Sequence, residues 1–123
     1  MDRDVGRGAR GTLRRLANTA WERELNAELT SLAMSFDQWT VREIGPHELS
    51  DRIHIFHDGA ARKLYGLYTR VDSSAWVAPA VGLDVLSESE LPPSLLEALA
   101  RSIEYYRRRP RAAGDDDERE SRD

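Results

Sequence analysis

RIHIFHDGAARKLYGLYTR, running from Arg52 to Arg70, is the stretch on which the fold turns. Two runs rich in β-branched and aromatic residues, Arg52 to His57 and Arg62 to Arg70, flank Asp58-Gly59. That dipeptide favours positive φ and therefore a tight turn between antiparallel strands. The reading is a β-hairpin. With an even-length loop, strand alternation puts Ile53, Ile55, Leu64, Gly66 and Tyr68 on one face and Arg52, His54, Phe56, Lys63, Tyr65 and Leu67 on the other. The first set has the composition of a core. The second mixes cations, a histidine and aromatics, the composition of a surface that contacts a partner, and those six residues form the candidate binding face.

Outward from the hairpin, Gln38 to Ile44 is β-branched and bounded by Gly45-Pro46, and reads as a preceding strand. Pro46 to Ser50 suits one helical turn with proline at its start. Ala75 to Leu83 reads as a further strand, with Pro79 placing it at an edge or a bulge. Helices are expected on either side. Leu95, Leu99, Ser102, Ile103 and Tyr106 make one stripe of a C-terminal helix that starts among Ser87 to Ser94, with Ser94 and Glu97 at capping-box spacing. Arg107 to Arg109 suit its end and Pro110 stops it. The expected fold is thus α+β: a short antiparallel sheet of three or four strands with an N-terminal and a C-terminal helix packed on it.

The N-terminal helical pattern, Thr12 to about Phe36, carries two stripes. Leu13, Leu16, Ala17 and Ala20 share one face, and Trp21, Leu25, Leu29, Leu32 and Phe36 share another, roughly 120° away at about 100° per residue. Either the helix breaks or it serves two partners. A break has a mechanism, because Thr19 and Glu22 have capping-box spacing. Without a break, Leu13, Leu16, Ala17 and Ala20 form a face for a partner or a second copy.

Composition bounds the functions. In 123 residues with 40% hydrophobic and 33% charged content there is room for one ordinary domain, expected over residues 12 to 110. Residues 1 to 11 hold three glycines and alternating charge, and read as a disordered basic arm. The formal charge of −4 belongs to the C-terminal end, where Asp115 to Asp123 holds six acids and two arginines. Residues 111 to 123 read as a disordered acidic tail. Absence of cysteine excludes disulfides, thiolate metal sites and a cysteine nucleophile, and with no apolar signal core behind the N-terminus it points to the cytoplasm. No run approaches the roughly 18 apolar residues of a membrane helix, so no membrane partner is expected.

Motifs for catalysis are missing. The serines fall in turns without a glycine elbow, and there is neither GxGxxG nor GxxxxGK[ST]. His47, His54 and His57, with Asp51 and Asp58, suit a metal by residue type. On a strand, however, residues three apart point to opposite faces, and the expectation is no metal and no cofactor. Glu22, Glu24 and Glu28 beside Arg23 read as a solvated helix face.

Two functional expectations follow. The first is a non-enzymatic interaction or regulatory module that binds a protein partner or itself. The second comes from a resemblance: the order helix, hairpin, strand, helix and the run Arg62-Lys63-Leu64-Tyr65 resemble the RelE/ParE toxin superfamily over residues 19 to 106. That resemblance implies action on RNA or on a nucleic-acid enzyme through a basic and aromatic sheet face. The chain departs from the family in its first strand and in a lysine-rich C-terminal strand, so no catalytic residue is carried over. A neutral stretch from residue 1 to 114 also neutralises phosphate poorly, which puts nucleic acid second.

Overall fold

A computed structural model of the chain describes residues 2–69 and 73–109, with side chains from residues 8–69 and 74–109. Among the described residues there is no strand. The expected α+β sheet is replaced by helices: α1 (Asp2–Thr40), α2 (Pro46–Ile55), a wide π turn (Phe56–Ala61), α3 (Arg62–Thr69), α4 (Val77–Gly82) and α5 (Pro93–Arg108). Short 3₁₀ turns occupy Ser73–Trp76 and Glu88–Glu90. No helix among the described residues is long and apolar enough to cross a membrane.

Each misread strand has a physical reason. Gln38 and Trp39 belong to the last turn of α1, and Arg42 closes that helix in the left-handed region with φ 67°. Glu43 N–H bonds the Gln38 carbonyl at 2.8 Å and Arg42 N–H the Trp39 carbonyl at 3.0 Å. That pair of bonds is a Schellman ending, so β-branched Val41 and Ile44 sit in a cap and not a strand. The predicted hairpin is one continuous helical run from Pro46 to Thr69, with Asp58-Gly59 inside the π turn. In Ala75 to Leu83, Pro79 stands in the first turn of α4, where a missing N–H leaves no helical bond unmade. Asp84, φ 64°, then ends α4 by the same Schellman pattern, Val85 N–H to Ala80 and Asp84 N–H to Val81.

Helix α1 runs from Asp2 to Thr40 and does not break at Thr19. The Thr19 hydroxyl donates to the Arg15 carbonyl one turn back, at 3.0 Å, which is mid-helix behaviour and not a cap. The expected acidic tail, 111 to 123, lies outside the described residues. The C-terminal helix is present, starting on Pro93 without a side-chain cap. The capping box nearby belongs to Ser87 and Glu90 of the preceding 3₁₀ turn.

The chain divides into two compact units. One unit joins Met1–Ala20 to Ser74–Asp123, and the other is Trp21–Ser73. The boundary in α1 falls between Ala20 and Trp21, where the apolar stripe of the sequence changes face. In the first unit the interior holds Leu16, Ala17 and Ala20 of α1, Val77 to Val81 of α4, Leu86, Leu91, and Leu95 and Ile103 of α5. Helix α4 is buried on every side, as its unbroken apolar sequence requires. It lies close on α5, with Gly82 facing the Tyr106 and Arg107 backbone. Arg107 reaches Glu88 at 3.0 Å and holds the end of α5 to the 3₁₀ turn.

The second unit is an antiparallel helical hairpin. Near its turn, Arg52 bonds Ser35 and Gln38; at its far end Tyr68 stacks on Trp21 and its hydroxyl donates to Glu24. The 21–40 half of α1 therefore runs against α2, the π turn and α3. Among its described residues the buried apolar side chains are Leu49, Leu64 and Tyr68.

Candidate functional site

Two helices can bury each other only along their line of contact, so a helical hairpin has two remaining sides, and here the sequence makes them unlike. At about 100° per residue, Glu24, Ser31, Ser35 and Gln38 of α1 fall on one side, together with Arg52 of α2. Polar bonds close this side. The Arg52 guanidinium donates to Ser35 Oγ at 3.1 Å, to Gln38 Oε1 at 2.7 Å, and to Glu48 one turn before it. Ser35 is the one buried polar side chain among the described residues, and Arg52 satisfies it.

Arg52→Ala is expected to destabilise the protein by about 1–2 kcal/mol, because it leaves buried Ser35 and half-buried Gln38 without that donor. The exposed Glu48 pair adds little. Urea unfolding measures it. A change under about 0.5 kcal/mol, the level of an ordinary surface substitution, would show that this network does not lock the hairpin.

The opposite side is apolar. Leu25, Leu29, Leu32 and Phe36 of α1 continue the stripe that starts at Trp21, and Ile53, Ala61 and Tyr65 lie alongside on the facing helix. The edge-on contact of Trp21 with Tyr65, ring centroids 6.1 Å apart, fixes the two rows on the same side. Leu29 is 42% exposed, Phe36 40%, Ile53 38% and Tyr65 62%, so these large side chains are partly uncovered along the hairpin. Isolated exposed apolar residues need no explanation, whereas a row of them on one side of a hairpin calls for one.

The six residues expected on one sheet face do not form a face. Without strands there is no alternation: Arg52 belongs to the polar network, His54 is exposed, Phe56 opens the π turn, and Lys63 and Leu67 are half-buried in α3. Only Tyr65 joins the apolar side. The RelE/ParE resemblance was carried by the order helix, hairpin, strand, helix and by the run Arg62 to Tyr65, and the hairpin and strand of that order are helical among the described residues. The second expected face, Leu13, Leu16, Ala17 and Ala20, is placed in the interior of the first unit: Ala17 and Ala20 are at most 1% exposed, Leu16 is buried and Leu13 half-buried.

On helical backbone the strand argument against a shared His54 and His57 site no longer applies. All three histidines are nonetheless exposed, and no group of three or more His, Asp or Glu that could hold a metal occurs among the described residues. An open hollow of about 670 Å³ lies at the hairpin turn, lined by Trp39, Arg42 and Pro46 among others.

The α1 half of the apolar row was visible in the sequence, but Ile53 and Tyr65 were missed as members of it. The missed signal was the helical spacing of Leu49, Ile53, Phe56, Ala60, Leu64 and Tyr68, steps of three and four, which the Asp58-Gly59 turn reading overrode. Comparison with protein-family models, with curated proteins and with solved structures finds no match to this chain.

Proposed function

We propose that the chain is a non-enzymatic interaction module that docks a protein on the uncovered apolar side of its helical hairpin. The observation that carries this reading is the row Leu29, Phe36, Ile53 and Tyr65, exposed on the side of the hairpin opposite the Arg52 network. A two-helix unit with so few buried side chains gains stability when a third or fourth helix covers its open side. Aromatic and branched anchors on rigid helices are also the residue types that dominate binding energy. A cytoplasmic setting belongs to the same proposal, because a chain without cysteine has no use for an oxidising compartment.

The test is a comparison of full-length wild type with the double variant Leu29→Glu, Phe36→Glu. Both positions are already partly in water, so the variant is expected to keep its far-ultraviolet circular dichroism. Wild type, used as bait or cross-linked in host extract, is expected to retain a protein, or its own chain, that the variant loses. An identical set of retained proteins for both would remove the apolar side from consideration.

A further inference from the structure

We infer, building on the interaction reading above, that the occupant of this side is a second copy of the chain, giving an antiparallel four-helix bundle with both hairpin turns at the same end. Three observations point to this partner. The first is size. A 20-residue helix is about 30 Å long, and two helices packed about 10 Å apart present a face roughly 30 by 20 Å. Such a face approaches the ~800 Å² per partner of a stable interface.

The second is the charge of the face itself. Leu25, Leu29, Leu32 and Phe36 on one helix and Ile53, Ala61 and Tyr65 on the other carry no charge, and the charged residues beside them, Glu22 and Arg62, are of opposite sign. A surface of this kind can meet its own copy without opposing like charges, which a self-complementary two-fold contact requires.

The third is the charge of the helices behind it, and it selects one arrangement. Residues 21–40 hold four acids, Glu22, Glu24, Glu28 and Asp37, against one base, Arg23. Residues 46–69 hold three acids, three bases and all three histidines. A two-fold axis across the helices would lay acidic α1 on acidic α1. An axis along the helices instead lays α1 of one copy over the α2 to α3 run of the other, every neighbour antiparallel, as in up-and-down bundles. With Trp21 beside Tyr65, Glu22 lies one residue and Arg62 three residues toward the hairpin turn, within about one helical turn of each other, so this arrangement brings Glu22 of each copy toward Arg62 of the other.

Light scattering of the full chain is expected to give about twice its 14.0 kDa mass. Leu29→Glu with Phe36→Glu should return one chain mass at unchanged helicity, and Ile55→Glu, on the far side of α2 and already 70% exposed, should keep the doubled mass. The chain has no cysteine, so a single Glu43→Cys at the hairpin turn takes one spin label. The label-to-label distance should be shorter than the roughly 30 Å length of the helices. A single-chain mass for wild type, a doubled mass that survives the double glutamate variant, or a longer label distance overturns the proposal. A monomer that still retains a host protein lost by the double variant rejects the second copy and keeps the interaction reading. A monomer that retains nothing rejects both.

Discussion

Truncation of Leu86 to alanine is expected to cost about 2–5 kcal/mol, the range for removing a fully buried leucine side chain. Leu86 is 1% exposed and, with Val77, Pro79 and Val81, is among the largest fully enclosed side chains of the described residues. It follows the left-handed cap at Asp84, and its N–H bonds the Ala80 carbonyl at 3.2 Å, which pins the backbone beneath it. The surrounding chain therefore cannot close over the space a shorter side chain leaves. For a domain whose total stability is on the order of 5–15 kcal/mol, this is a large share. Urea denaturation should show a lowered midpoint with an unchanged slope. A shift worth less than 1 kcal/mol, well below that buried-leucine range, would mean that the first unit is far more plastic than its burial pattern indicates.

Gly82→Ala is expected to destabilise through the opposite mechanism, excess volume. A Cβ at position 82 would sit 2.8 Å from Tyr106 Cβ, 2.9 Å from Arg107 N and 3.0 Å from the Tyr106 carbonyl carbon. These are atoms of the α5 backbone and its first side-chain carbon, none of which can swing aside. Elsewhere in a helix, alanine for glycine gains up to about 1 kcal/mol in propensity. Here the helices must part, and overpacking costs about 1–3 kcal/mol. Thermal unfolding decides it: a lower midpoint is expected, and a raised one would show that α4 and α5 are not held at this separation. At Gly59, in the π turn, a Cβ would have nothing within 4 Å, and that position serves as the comparison site.

The two ends of the chain were more readable than its middle. Helix α5 announced itself through Leu95, Leu99, Ile103 and Tyr106, which repeat at steps of three and four and end in arginines. Helix α1 likewise showed two stripes, and the alternative in which one helix serves two partners corresponds to the unit boundary at Ala20 and Trp21. What misled in the middle was local preference. Asp58-Gly59 between β-branched and aromatic residues is a strong turn signal over a few residues, but it competes with burial of Leu49, Leu64 and Tyr68, which acts over two dozen. Propensity of this kind is a weak prior once tertiary packing is available. In Ala75 to Leu83 the proline argues for an edge or a bulge if the backbone is a strand, yet in the first turn of a helix it leaves no bond unmade. The candidate surface suffered accordingly: Leu29 and Phe36 were legible as a stripe, whereas their neighbours across the hairpin could be assigned only after the strands were replaced.

The widened turn at Phe56–Ala61 has a bearing on how the whole second helix is spelled. Nineteen steps separate Leu49 from Tyr68, and an unbroken α-helix would leave them roughly 100° out of alignment. A loop of hydrogen bonding that closes one residue late takes up about that same angle. Both side chains can then be buried, as they are, and Tyr68 can meet Trp21 and Glu24. The letters from Arg62 to Thr69 are thus written for a helix that has already skipped one beat, and they match their straight companion because of it.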